Sequence, residues 1–436
     1  MSRDTVARVS LAAHEQTLFV NASQVVTCEG PARARRGAEM SDARVRTDVA
    51  VAVDGDRIGA VDALAALRAR FPGAREFDCE QRVLMPGLVD SHTHAIFGRP
   101  RFEEQEQRAA GLDYMEIARR GGGIHSSVRD LRTRSEDELF ELARGRLMRL
   151  ASFGTTTVEV KSGYGLTLED ELKTLRVIER LRRELPMRIA PTFLGAHEIP
   201  LEHRGSAEAR KGYVDLLVHE MIPAVASGQL ARFVDVFCET GVYTVDESRA
   251  ILSAARNAGL LLKLHADELT ACGGAELAAS IGATSADHLA AVSDEGIAAL
   301  AAGSTVATLL PGTMLFLGKT KQAPARRFIE GGVPVALATD FNPGTSPTPN
   351  LPLILTLGVS QLRLSVAEAV TGATVNGAAA LALADTVGQI APGYSADLAL
   401  FDIRDIRELP YWYGDNRCVA TFVRGKPCHS SNLGLT

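Results

Sequence analysis

Through the middle of the chain, from about residue 85 to about residue 385, short apolar runs alternate with stretches of amphipathic helical spacing, and this alternation constrains the fold more than any other feature. The runs are Leu84–Asp90, Thr155–Lys161, Arg188–His197, Phe233–Glu239, Leu260–His265, Ser285–Leu289, Thr305–Leu310 and Val335–Asp340. Between them, Glu136–Ser152, Glu169–Glu184, Val245–Ala258 and Asp294–Ala302 read as helices. A strand that is apolar on both faces must be covered on both faces, which points to an α/β chain with a parallel sheet crossed by helices. Eight such units fit a (β/α)8 TIM-like barrel in count and size. A doubly wound open sheet is the competing topology.

The two ends of the chain have a different rhythm. Leu18-Phe19-Val20, Val49–Val53 and Arg57–Val61 are short and rich in β-branched residues, with Asp54-Gly55 as a hairpin signal. Asp397–Asp402 and Val419–Lys426 match them near the other terminus. These segments are expected to form one smaller β-sandwich domain. It is assembled from residues 1–84 and 386–436, and residues 85–385 form the barrel. The Arg-rich stretch over residues 30–48 reads as an exposed loop.

Charge and cysteine usage narrow the class. The chain has 47 basic and 53 acidic residues, a formal charge of -6, which argues against nucleic acid as a partner. No uninterrupted apolar run is long enough to span a membrane. Cys28, Cys79, Cys238, Cys272, Cys418 and Cys428 are scattered without a CxxC pair, so they are expected to be reduced thiols in a cytoplasmic protein. The first ten residues lack the basic-then-apolar pattern of a secretory signal.

Polar residues collect at the C-terminal ends of the apolar runs, the face on which barrel enzymes build their sites. His92 and His94 follow the first run, Lys161 and Tyr164 the second, and His197 ends the third. Glu239 ends the fourth, and His265, Asp267 and Glu268 follow the fifth. Asp287 and His288 lie in the sixth, and Asp340 ends the eighth. Side chains two apart on a strand point the same way, so His-x-His offers adjacent ligands to one ion. Imidazole and carboxylate together suit zinc or iron. His14, His203, His219 and His429 fit ordinary surface or local hydrogen-bonding roles. Gly121-Gly122-Gly123 before His125 reads as a mobile loop near the barrel mouth; no GxxxxGK[ST] motif supports a nucleotide triphosphate.

Met85-Pro86-Gly87-Leu88-Val89-Asp90-Ser91-His92-Thr93-His94 and Gly388–Leu398 resemble signatures of the amidohydrolase superfamily. Narrower motifs resemble the imidazolonepropionase family: Lys161-Ser162-Gly163-Tyr164-Gly165-Leu166, Phe193-Leu194-Gly195-Ala196-His197 and Asp235-Val236-Phe237-Cys238-Glu239. His265-Ala266-Asp267-Glu268, Ser285-Ala286-Asp287-His288-Leu289 and Ala338–Thr345 complete the set, and the likeness runs from about Leu18 to Gly425. The resemblance implies hydrolysis of the cyclic amide 4-imidazolone-5-propanoate to N-formimidoyl-L-glutamate in histidine degradation. It also implies one divalent or trivalent metal ion per subunit, zinc or iron, held by His92, His94, His265 and Asp340. Arg101, Tyr164 and His197 match residues that hold the substrate; Tyr114 is a further candidate for that role, in a helical stretch where packing explains it equally well. Glu268 matches the residue that contacts substrate and handles protons. His288 matches a second polar group next to the metal, and Asp340 is placed to share the proton work. Asn342, Gly344 and Thr345 match contacts to the ring-opened product. The partner implied is a small molecule, and a homodimer follows only from the likeness.

Lys161 stays open between a structural ion pair and a substrate contact. Some cyclic amidohydrolases bridge two metals with a lysine at the end of the fourth strand. Here the fourth run ends Phe237-Cys238-Glu239, so a single-metal site is expected. The neighbouring reading is an aminohydrolase acting on a purine- or pyrimidine-like ring, from which Arg101 and Tyr164 discriminate. A dihydroorotase- or hydantoinase-like enzyme is disfavoured by the absent lysine. A non-catalytic barrel is disfavoured because every ligand position is filled.

Overall fold

The computed structural model describes residues 16–112, 116–117 and 120–430. Eight parallel strands run in simple chain order, Leu88–Asp90, Thr155–Lys161, Arg188–Ala196, Phe233–Cys238, Leu261–Ala266, Ser285–His288, Val306–Leu309 and Val335–Leu337. Past the strand ends, Thr93 bridges Phe341 in parallel, and Asp340 N–H donates to the His92 carbonyl, so the first and eighth strands meet. A sheet that closes on itself in sequential order is the barrel and not the doubly wound alternative.

The crossover helices start where local chemistry dictates. Ser135 with Glu138 and Thr244 with Glu247 form capping boxes for Glu136–Ala151 and Val245–Asn257. Thr167 and Ser293 cap Leu168–Glu184 and Asp294–Ala302 with their hydroxyls. Their apolar faces close over the strands in one large core.

One run is divided. Leu84–Asp90, read as a single strand, is two: Val83–Pro86 pairs antiparallel with Leu398–Phe401 in the smaller domain, and Leu88–Asp90 enters the barrel. Gly87 is the pivot, since a Cβ there would collide with the Thr156 side chain.

The smaller domain is a sandwich of a four-stranded and a six-stranded sheet. The first orders Arg57–Asp62, Ala50–Asp54, Gln16–Val20 and Arg75–Asp78; the second orders Lys426–Ser430, Cys418–Val423, Leu398–Phe401, Val83–Pro86, Gln24–Val26 and Val45–Arg46. Phe19, Val51 and Ile58 from one sheet meet Leu84, Leu400 and Phe422 from the other. The Asp54-Gly55 hairpin forms as the sequence indicates.

The Arg-rich stretch is not simply an exposed loop. It straps the floor of the barrel, with Arg35, Met40 and Ala43 buried. Asn376 clamps it, accepting from Arg35 N–H at 2.7 Å and donating to the carbonyls of Arg35 (3.0 Å) and Val335 (2.8 Å). Met40 is fully enclosed (0 % exposed). Met40→Ala is expected to cost about 2–5 kcal/mol of unfolding free energy in a urea titration, the range for emptying a core methionine site. All six cysteines are free thiols, and among the described residues no helix is long and apolar enough to cross a membrane.

Candidate active site

The strand ends converge on four donor atoms. The Nε2 atoms of His92 and His94 lie 3.3 Å apart, and those of His94 and His265 also 3.3 Å apart. Asp340 Oδ1 is 3.6 Å from His92 Nε2 and 3.5 Å from His94 Nε2. All four side chains are buried. His92 and His94 lie just beyond the strand that ends at Asp90, but the Thr93–Phe341 bridge keeps the backbone extended, so both rings face the same centre.

These residues fit a metal ion. Ligands about 2.1 Å from a tetrahedral centre lie about 3.4 Å from each other, and the spacings among His92, His94 and Asp340 and between His94 and His265 match that edge; His92, His94 and Asp340 form one compact ligand group, and His265 joins others with His94 and His197 or with His92 and His288. The imidazoles of His92 and His94 are neutral: burial, then the nearby Lys161 ammonium and the other imidazoles, holds His92 well below its usual pKa, and burial followed by His197 does the same for His94. His92 engages Asp287 Oδ2 through Nδ1 at 2.6 Å, and His265 Nδ1 lies 3.0 Å from Asp235 Oδ2. The Nδ1 contact with Asp287 leaves His92 Nε2 facing the donor atoms of His94 and Asp340, an arrangement that a cation stabilises.

Around this centre opens a cavity of about 1490 Å³. Glu268 and His288 line one wall, with Glu268 Oε2 3.7 Å from His288 Nε2. Burial, then the carboxyls of Asp340 and Glu239, raises Glu268 to about 8. Burial and His265 hold His288 well below its normal value, so it is neutral. Asp340, raised to about 6 by burial, takes a 2.6 Å hydrogen bond from Thr313 Oγ1. Asp267, His288 and Asp340 adopt left-handed backbone (φ 49°, 75° and 51°), a region in which aspartate and histidine are enriched among non-glycine residues.

Arg101, Tyr164 and His197 also line the cavity. His197 stacks on His94 at 4.9 Å and is oriented by the Gly163 carbonyl, 3.0 Å from its Nδ1. Tyr164 lies 5.2 Å from the His197 ring and is buried. Arg101 is buried, with Glu104 Oε1 3.5 Å from its Nε, but neither Nε nor Nη1 has a hydrogen-bond partner.

The 342–345 loop supports Arg101. Asn342 Oδ1 accepts from Gly344 N–H (2.8 Å) and Thr345 N–H (2.7 Å), and its amide donates to Thr345 Oγ1. Asn342 and Thr345 line the cavity, whereas Gly344 lies behind the Arg101 guanidinium, where a Cβ would overlap it. Tyr114 lies outside the described residues. Arg101 N–H donates to the Pro343 carbonyl, which ties its backbone to the 342–345 loop.

Sequence reading assigned no role to the layer beneath. Glu159, Asp235, Lys263 and Asp287 are fully buried with Lys161 on the barrel interior. The signal was present: Glu159 and Lys161 on the second strand, and Lys263 and His265 on the fifth, place ionisable side chains two apart on one face. Glu239 was noted without a role; it accepts from Leu269 N–H (2.8 Å) and Thr270 N–H (3.3 Å), fixing the loop that carries Glu268.

A barrel with three imidazoles and a carboxylate at its C-terminal face, carried on a composite β domain, defines an amidohydrolase. The amidohydrolase family model matches residues 83–428, and a bacterial imidazolonepropionase-like composite-domain model matches residues 50–74. Among curated relatives, the imidazolonepropionase of Solibacter usitatus is 43% identical over 94% of this chain and 97% of its own length. That of Symbiobacterium thermophilum is 47% identical over 94% and 96%. The chain belongs to the imidazolonepropionase family. Solved structures share the fold: guanine deaminase of E. coli superposes with a TM-score of 0.73 at 15% identity, covering 96% of this chain and all (100%) of that one. A zinc-bound adenosine deaminase from Xanthomonas campestris gives 0.69 at 20% identity, covering 94% and 92%.

Proposed function

We propose that this chain hydrolyses the ring amide of 4-imidazolone-5-propanoate to N-formimidoyl-L-glutamate in histidine degradation, using one zinc or iron ion held by His92, His94, His265 and Asp340. The observation that carries the reading is Arg101: a buried guanidinium with unpartnered Nε and Nη1 in the cavity that the four ligands face. A buried cation with unmet donors calls for an anion, and a propanoate tail supplies one that presents two oxygens to the planar fork. A purine or pyrimidine ring awaiting deamination has no such group.

Bound among these ligands, the ion supplies ionised water at neutral pH, by lowering a pKa of ~15.7 towards 7, and polarises the ring carbonyl. Glu268 moves the protons. As a carboxylate it takes one from the attacking water; as an acid it returns it to the leaving ring nitrogen. Its raised pKa suits both halves of that cycle. His288, neutral and beside Glu268, donates a hydrogen bond to the oxygen on which charge develops. Tyr164 and His197 hold the ring, and Arg101 holds the tail. Asn342, Gly344 and Thr345 keep the Arg101 side of the cavity in shape as the ring opens.

The test is ring opening of freshly generated imidazolonepropanoate. Chelated protein is expected to lose turnover, and zinc or ferrous ion added one per subunit is expected to restore it. Fully metallated protein that leaves the substrate intact while deaminating a purine or pyrimidine would overturn the assignment.

A further inference from the structure

Glu171 is a buried carboxyl that no step of the proposed reaction uses. It lies in the first turn of the helix Leu168–Glu184, is 1 % exposed and does not line the cavity. Glutamate is rarely enclosed so fully, and a buried carboxyl is retained where hydrogen bonds replace its lost water. The N-terminus of its own helix is served by Thr167, whose hydroxyl accepts from Asp170 N–H at 3.1 Å. Glu171 reaches back to the turn that precedes the helix. Gly163 N–H donates to its Oε2 at 3.1 Å, and Gly165 N–H and Leu166 N–H donate to its Oε1 at 2.8 and 2.9 Å.

That turn presents Tyr164. Its backbone is costly to hold: Gly163 has φ 109° and Leu166 φ 55°, and a leucine keeps left-handed backbone only where its surroundings impose it. Gly165 packs so closely on the helix that a Cβ would come within 2.6 Å of the Glu171 backbone nitrogen. At its start the turn is tied to the neighbouring strand, by Ser162 N–H to the Thr192 carbonyl and by Leu194 N–H to the Ser162 hydroxyl, both at 3.0 Å. Beyond Ser162, Glu171 takes over. Gly163 passes the constraint on, since its carbonyl lies 3.0 Å from His197 Nδ1. One carboxyl thereby bears on two side chains of the cavity, Tyr164 and His197, whose rings are 5.2 Å apart.

We infer that Glu171 is a positioning residue for substrate recognition: through the N–H groups of Gly163, Gly165 and Leu166 it sets where Tyr164 and His197 meet the imidazolone ring. This rests on the reading of Tyr164 and His197 as the groups that hold the ring.

Glu171→Gln keeps the size of the side chain and one acceptor oxygen. With that oxygen left to Gly165 and Leu166, the new amide group faces the Gly163 N–H, donor against donor. KM for imidazolonepropanoate is expected to rise about 10-fold, with kcat falling less than about threefold and metal content unchanged. Two comparisons separate positioning from stability. Thr167→Ala removes the hydroxyl cap of the same helix and leaves the donors of the turn alone, so it is expected to lower Tm at an unchanged KM. A rise in KM there equal to that of Glu171→Gln would reduce Glu171 to a helix stabiliser. When Glu171→Gln is combined with Tyr164→Phe, the rise in KM is expected to fall short of the product of the two single rises, because both act on one ring contact. Fully independent factors overturn the inference. Amide exchange on the metallated wild type needs neither substitution nor substrate. The N–H groups of Gly163, Gly165 and Leu166 are expected to be protected, and Gly163 is expected to exchange faster in Glu171→Gln. Unprotected exchange at Gly163 and Gly165 in folded wild type sinks the inference even where the glutamine variant does not fold. Metallated wild type that leaves imidazolonepropanoate intact, with these amides protected, faults the ring-holding reading and not the grip of Glu171 on the turn.

Discussion

Replacing Glu268 with glutamine is expected to lower kcat for ring opening by about 10²–10⁴-fold, the usual worth of a positioned proton-transfer group, while KM changes little. Glutamine keeps the size and hydrogen-bonding reach of the side chain but can neither take a proton from water nor give one to the ring nitrogen. The loop that carries it is fixed by Glu239 and by Asp267, whose carboxylate accepts from Cys272 N–H and Ala275 N–H at 2.9 Å each, so the variant is expected to fold and bind metal as wild type does. The pH profile gives a second readout. Burial and the nearby Asp340 and Glu239 carboxyls raise the Glu268 pKa, so its basic form is lost as pH falls through that raised value. Wild-type kcat is therefore expected to decline on the acid side with a limb that is absent from the residual activity of Glu268→Gln. A variant that retains wild-type kcat, or the same acid limb, would move the proton work to Asp340 or His288.

Glu268 also shows what could be read from the chain and what could not. Its place three residues past His265, at the C-terminal end of an apolar run, brought it to the barrel mouth on sequence grounds alone. The same logic located His92, His94, His197, His265, His288 and Asp340, because strand ends in a parallel barrel converge whatever the loops do. The partners of these residues are set by closure of the barrel. Asp287 holds His92 from 195 residues away, and Lys161 reaches Asp235 across 74. No local pattern records such pairs; what the chain does show is a charge inside an apolar strand, which without the closed sheet resembles a fault in the pattern.

Two other departures are local. In Leu84–Asp90 the apolar character is continuous, but Pro86-Gly87 hands the strand from one sheet to another, and only the collision at Gly87 shows why. In residues 30–48 the arginines mask the apolar anchors Met40 and Ala43. Arg35 itself is buried through its backbone bonds to Asn376, 341 residues away.

Arg101→Met tests the substrate rather than the chemistry. The substitution is expected to reduce kcat/KM on the order of 10²–10³-fold, mostly through KM, which corresponds to the roughly 3–4 kcal/mol range for removing one partner of a buried charge pair. Methionine retains the apolar stem and fills the space beside Gly344, so the lost quantity is the guanidinium fork. Lysine is a poor substitute, since an ammonium lacks the second parallel donor; Arg101→Lys is expected to recover only part of the loss. An analogue with the imidazolone ring but an uncharged propanamide tail separates recognition from scaffolding. Wild type is expected to turn it over about as poorly as Arg101→Met turns over the true substrate, and the substitution is expected to cost little more on the analogue. If Arg101→Met loses equally on both compounds, Arg101 serves to brace the 342–345 loop through Pro343 and Gly344, and the propanoate is held elsewhere. Zinc content and affinity are expected to stay at the wild-type level in either case, because the Arg101 guanidinium lies against Glu104 and not against Asp235 or Asp287, the carboxylates beside the ligand histidines.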